Sequence, residues 1–152
     1  MTTESSKGIQ NELAAALPHL SEQQIAQVSP HFQRYTFPAG EIIIQQGETA
    51  DRFFILVEGR VEIWYKSTDR HDYQVAFCEV GDYFGETGLL KNKPRNSTVR
   101  ATEEGDVVVL ALDREHFLSM VSDSRATEEE IATEMTRRLL ELSQFTSNPD
   151  GS

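Results

Sequence analysis

The sequence predicts a mainly β fold with flanking helices, an antiparallel β jelly roll of about eight strands, and three observations carry that reading. Short β-branched or aromatic runs recur along the middle of the chain. Turn residues separate most of them, as in Pro38-Ala39-Gly40, Glu58-Gly59 and Gly81-Asp82. Helical periodicity is confined to the two ends and to one short turn, so the alternation of strand and helix that a parallel sheet needs is missing.

The elements follow in order. Residues 1–10 are polar and are expected to lack order, leaving 11–143 as the folded domain. From Glu12 to Val28 the pattern is helical, in two pieces split at Pro18. Leu13, Ala16 and Leu20 lie at helical spacing, and Ser21 with Gln24 reads as a capping box for a second piece carrying Ile25 and Val28. Strand-like runs cover 32–37, 41–45, 52–57, 60–65, 74–80, 97–103 and 106–112, with Tyr83 and Phe84 a further short approach. The helical period returns from Arg114 to Val121, with Phe117 and Val121 inward. Thr127 followed by Glu128, Glu129 and Glu130 reads as a second capping box, with acids in the first turn as the macrodipole favours. Ile131, Met135, Leu139 and Leu142 then mark one face of a C-terminal helix, and Arg137 and Arg138 lie nearer its end. Residues 144–152 read as a disordered tail.

Composition bounds the function. A chain of 152 residues with 38% hydrophobic and 26% charged residues fits one globular domain. It contains no apolar run of about 18 residues, the length a membrane span requires. The first residues lack the basic start and apolar stretch of a secretory signal, and the lone Cys78 has no internal disulfide partner, so a reducing cytoplasm is expected. Cys78 lies among Ala76, Phe77 and Val80 and reads as a small core residue. A net charge of −11 argues against direct DNA binding, which draws its affinity from lysines and arginines on phosphates. His19, His31, His71 and His116 are scattered without metal-ligand spacing, and no G-x-S-x-G elbow is present, so neither a metal centre nor an enzyme is expected.

The chemistry concentrates in Phe84 to Ala101, reading F-G-E-T-G-L-L-K-N-K-P-R-N-S-T-V-R-A. Gly85 permits close backbone approach, and a short helix starting after it aims free N–H groups outward. Glu86 supplies a carboxylate that only accepts hydrogen bonds, and Arg95 a guanidinium that grips an oxyanion. Between Gly85 and Arg100 stand Lys91, Lys93, Arg95 and Arg100 against Glu86, a net of +3 in an acidic chain. Lys91 and Lys93 read equally as local attraction for an anion or as a solvated loop.

This stretch closely resembles the phosphate-binding cassette of cyclic-nucleotide-binding domains, the sensor modules of cyclic-nucleotide-dependent kinases, the catabolite activator protein and gated channels. The resemblance extends over roughly residues 20 to 143. It implies that Glu86 accepts from the ribose 2′-hydroxyl and that Arg95 pairs with the cyclic phosphate. Gly85 and the amides of Glu86 and Thr87 match the phosphate-cradling turn. Ile63 and Val75 are implied as walls for the base, Leu139, Leu142 and Ser143 as capping contacts from the C-terminal helix, and Arg100 as a structural partner of Glu86. Trp64, beside Ile63, is expected on the opposite face by strand alternation. Asn96 and Ser97 stand where the family usually has alanine, serine or threonine followed by alanine. Asn96 therefore matches neither the residue that accompanies cAMP nor the one that accompanies cGMP.

The implied ligand is cAMP or cGMP, with no metal, and cAMP is favoured. Implied partners are an effector protein or tethered effector domain, and a possible homodimer through the C-terminal helix. Only about ten residues follow Leu142, so no helix-turn-helix module is expected after it. The rival readings are an interaction module that keeps the fold without nucleotide and, more remotely, a cupin-like metalloenzyme.

Overall fold

The computed structural model describes residues 2–146. Two antiparallel four-stranded sheets face each other, with strand orders β1-β8-β3-β6 and β2-β7-β4-β5. The first contains β1 (Gln33–Phe37), β3 (Arg52–Glu58), β6 (Tyr83–Phe84) and β8 (Val107–Asp113); the second contains β2 (Ile42–Ile44), β4 (Val61–Lys66), β5 (Asp72–Cys78) and β7 (Thr98–Ala101). This is the expected jelly roll.

The sheets differ in how they are covered, and their sequences show it. β3 reads R-F-F-I-L-V-E and β8 reads V-V-V-L-A-L-D, apolar on both faces. Phe54, Leu56, Phe84, Val109 and Ala111 pack toward the second sheet with its Val61, Cys78, Val99 and Ala101. Phe53, Ile55, Leu110 and Leu112 pack the other way, against Leu13, Leu17, Phe117 and Ile131 of the helices. A strand buried on both faces has no room for polar alternation. Each fully buried Phe or Leu stabilises the fold by roughly 1.5–3 kcal/mol. The second sheet alternates instead, as in β7, where Val99 and Ala101 are buried and Thr98 and Arg100 are not.

Helices α1 (Thr2–Ala16), α2 (Glu22–Val28), α4 (Arg114–Ser122) and the first turns of α5 (Arg125–Thr146) lie over the first sheet, and α3 (Glu86–Lys91) follows β6. The Ser21–Gln24 capping box forms as expected: Gln24 N–H donates to Ser21 Oγ at 3.1 Å and Ser21 N–H to Gln24 Oε1 at 2.9 Å. Three expectations need correction. α1 begins at Thr2, within the stretch expected to lack order. α5 is capped by Ser124, whose Oγ accepts from Thr127 N–H at 3.3 Å, and Thr127 itself is wholly buried inside the helix. Residues 144–146 complete α5 rather than starting a tail, and 147–152 lie outside the described residues.

Candidate functional site

β6 is only two residues long because Gly85 ends it, in a left-handed conformation with φ 88°. A side chain there would be strained twice over. Its Cβ would meet the Arg52 carbonyl oxygen at 3.1 Å and Arg95 Nη1 at 3.2 Å. α3 starts at once with Glu86, and Gly88, its third residue, has no room for a Cβ, which would fall 2.5 Å from that of Ala50. Asn92, left-handed at φ 53°, stops the helix. The chain then returns along the loop before β3, with Arg95 N–H donating to the Glu48 carbonyl and Gly47 N–H to the Arg95 carbonyl, both at 2.8 Å. One glycine turn and one return loop thus bring Arg95 beneath the start of α3.

Arg95 is 7% exposed and is fixed by two backbone carbonyls: Nη1 donates to Gly85 and Nη2 to Arg52, each at 2.7 Å. The Asp51 carboxylate stands 3.8 Å from Nη2. Burial lowers the guanidinium's proton affinity, partly offset by Asp51 and Glu86. A buried cation held by neutral carbonyls is an anion receptor with its reorganisation already done. Glu86, 1% exposed, receives Arg138 Nη1 from α5 at 2.9 Å, and Thr87 Oγ1 lies 3.3 Å from its other oxygen. Arg138 also bonds Glu134 at 2.9 Å, approaches Cys78 Sγ at 3.9 Å and lies over the Tyr83 ring. Burial alone would weaken its hold on the proton, but the carboxylates of Glu86 and Glu134 outweigh that and strengthen it. Burial pushes the Cys78 thiol up to about 12, so it stays a neutral wall group.

A cleft of about 880 Å³, solvent at its mouth included, opens between α3, the second sheet and α5. Gly85, Glu86, Thr87, Arg95, Asn96, Ser97, Ile63, Val75, Leu139 and Leu142 all line it. Val75 owes its place to a β-bulge: Ile63 pairs with Ala76 and Trp64 with Gln74, which leaves Val75 as the extra residue on β5. Trp64 lies outside the lining, as strand alternation requires, and donates Nε1–H to Glu62 at 3.0 Å.

Ser143 is a correction: it lies outside the lining, and its hydroxyl donates to the Leu140 carbonyl at 2.6 Å one turn back on the same helix. Arg100 is another. It sits directly opposite Glu62 in the β4–β7 register and pairs with that carboxylate, not with Glu86. Lys91 and Lys93 are exposed and outside the cleft, which favours the solvated-loop reading. Sequence reasoning missed Arg138, together with Arg137 and Glu134 beside it in the cleft. The available signal was two adjacent arginines on a helix whose inward face is otherwise apolar.

Among the described residues, no helix is long and apolar enough to cross a membrane, and no group of three or more His, Cys, Asp or Glu side chains is placed to hold a metal ion.

The family model described as cyclic nucleotide-binding domain matches residues 34–124, more than half of the chain. The chain belongs to that family. It is 30% identical over 145 residues to the cAMP-dependent protein kinase regulatory subunit of Dictyostelium discoideum, an alignment covering 93% of this chain and 41% of the relative. It is 34% identical over 103 residues to human cGMP-dependent protein kinase 2, covering 66% of this chain and 13% of that protein. The chain therefore spans less than half the length of these curated relatives. Its fold superposes on the regulatory domain of Toxoplasma gondii PKA crystallised with cAMP, at TM-score 0.78 and 25% identity over 87% of this chain and 51% of that one.

Proposed function

We propose that this domain is a non-enzymatic cyclic-nucleotide sensor, with cAMP preferred to cGMP, acting in the cytoplasm on an effector protein or tethered effector domain. The carrying observation is the pairing of a fixed, buried arginine with a buried carboxylate across one cleft. Arg95 offers its remaining guanidinium hydrogens to the cyclic phosphate, beside the amides at the start of α3. Glu86 accepts from the ribose 2′-hydroxyl. Ile63, Val75, Leu139 and Leu142 supply the apolar walls a flat base requires. The preference for cAMP is supported by the solved neighbours, since the regulatory domain of Toxoplasma gondii PKA is crystallised with cAMP. Asn96 leaves that choice open by itself.

The output is movement of α5. Past Ile131 none of its residues is buried, so the second half of the helix is anchored by few apolar contacts. Arg138 ties that half to Glu86, the carboxylate that would hold the sugar. A ribose hydroxyl arriving at Glu86 changes what Arg138 is bonded to, and the nucleotide shifts α5 by its differential affinity for the two helix positions. The exposed Leu140 and its neighbours on α5 offer a surface for an effector or for a homodimer.

One observation favours the second reading, a module that keeps the fold without nucleotide: Glu86 and Arg95 already have protein partners. Isothermal titration separates the two. Micromolar or tighter binding of cAMP, weaker of cGMP, is expected, and no heat with either at ~1 mM leaves only the module, since binding would then be weaker than about −4 kcal/mol. Arg95→Ala is expected to weaken binding by about 2–5 kcal/mol, the cost of truncating one partner of a buried charged contact. Unchanged affinity in that variant rejects the site.

A further inference from the structure

The outer face of the second sheet carries one row of side chains that crosses all four strands. The register sets Ile42 of β2 opposite Arg100 of β7, Arg100 opposite Glu62 of β4, and Glu62 opposite Phe77 of β5. Trp64, two residues along β4 from Glu62, points the same way. Both ends of the row are open, with Ile42 46% and Phe77 42% exposed. The Arg60 guanidinium lies over the Phe77 ring at 3.7 Å and that of Arg100 over Trp64 at 5.7 Å. Aromatic and arginine side chains of this kind are enriched at the centres of protein contacts.

The charges of this sheet cancel. β2, β4, β5 and β7 contain four charged residues, Glu62, Lys66, Asp72 and Arg100. Each is paired across a ladder, Arg100 with Glu62, and Lys66 with its register partner Asp72 at 3.1 Å. At the border Arg60 meets Glu79 at 2.7 Å and Glu104 at 3.8 Å, which adds a net of −1. The strands themselves sum to zero in a chain of net charge −11. By contrast α5, with its exposed Leu140, carries five glutamates against three arginines. Covering the sheet face would strand no charge, because Arg100 and the Trp64 N–H already satisfy the Glu62 carboxylate.

We propose that this face is where a second copy of the chain docks, sheet against sheet, with Ile42, Trp64 and Phe77 as the contacting side chains. The electrostatics select that occupant. A basic partner is drawn to the acidic remainder of the surface and gains nothing from a face whose charges are already paired. An equally acidic copy is repelled by that remainder and meets no net charge here. The contact is isologous, the same row being offered by both copies. Four strands about 4.8 Å apart make a patch roughly 15 Å across, the size of a weak, concentration-dependent association. It leaves α5 free for the proposed effector.

The test uses the nucleotide-free protein and is independent of the proposed ligand. Sedimentation velocity up to ~1 mM protein is expected to show monomer in equilibrium with dimer. Trp64 is the only tryptophan in the chain, so its emission is expected to move to the blue over the same range. Ile42→Glu brings an uncompensated carboxylate into each half of the contact and is expected to weaken association about tenfold or more. Gln74→Glu, at the exposed position opposite Trp64, does the same if the first variant destabilises the fold. Leu140→Glu is expected to associate as the wild type does. Salt at about 0.5 M is expected to strengthen the dimer by screening two acidic chains from each other. A wild type still monomeric at ~1 mM, a dimer that leaves the Trp64 emission unmoved, or one lost with Leu140→Glu and kept with both sheet variants overturns the proposal. So does a dimer that the added salt dissociates.

Discussion

Two buried carboxylates in this molecule are held by arginines, and they differ in what carries the arginine. Glu62 and Arg100 are direct neighbours on adjacent strands, and Trp64 Nε1–H shares the same carboxylate oxygen. Their distance is set by the β4–β7 ladder, whose spacing the backbone hydrogen bonds fix. Glu86 and Arg138 lie 52 positions apart, one on the cassette helix and the other on α5. No ladder holds these elements together, so the bond itself sets their distance. The same chemistry is a rivet in the sheet and a latch at the cleft.

Mutations that treat the pairs alike should expose the difference. Glu86→Ala strips a nearly buried arginine of its main partner and should cost about 3 kcal/mol of unfolding free energy, the low end for breaking a buried pair because α5 can swing Arg138 into water. It should also abolish the ribose contact, and urea denaturation with nucleotide titration checks both. A loss below about 1 kcal/mol would mean that Arg138 is already solvated. Arg138→Gln keeps a donor for Glu86 and should cost about 1.5–3 kcal/mol, the usual value of a charged hydrogen bond, and should speed amide exchange in the last turns of α5. Arg100→Gln should leave that exchange untouched, and equal acceleration by both variants would mean that the two pairs are held alike.

Glu62→Gln should cost about 1 kcal/mol and leave nucleotide affinity unchanged, since it lies on the outer face of the second sheet. The smallest effect is acidic. The bond from Arg137 holds the Glu134 carboxyl below its ordinary range, burial opposes this, and Arg138 adds to it. A depressed folded value means stability fully present above the ordinary glutamate range (~4.3) and lost as pH falls through the lower folded value. Glu134→Gln should therefore flatten the acid limb of urea stability below about pH 4.5 and change little at pH 7.

The cassette was legible because its residues are close in sequence. Gly85, Glu86, Thr87, Arg95, Asn96 and Ser97 fall within one turn-helix-loop, and local backbone rules place them together. The capping box at Ser21 was legible for the same reason. The box read at Thr127 failed because Ser124, three residues earlier, takes the cap and turns Thr127 inward. Arg100 was assigned to Glu86 through the family resemblance, which matches its position to a frequent basic one. The strand register put it opposite Glu62 instead.

The sequence by itself determined the sandwich, the helical ends and the cassette, because strand period, capping residues and glycine's conformational range act over a few positions. Only the tertiary structure decided which arginine reaches Glu86 and that a bulge turns Val75 into the cleft. Those pairings depend on how separate elements pack, and packing brings together residues that no local spacing connects.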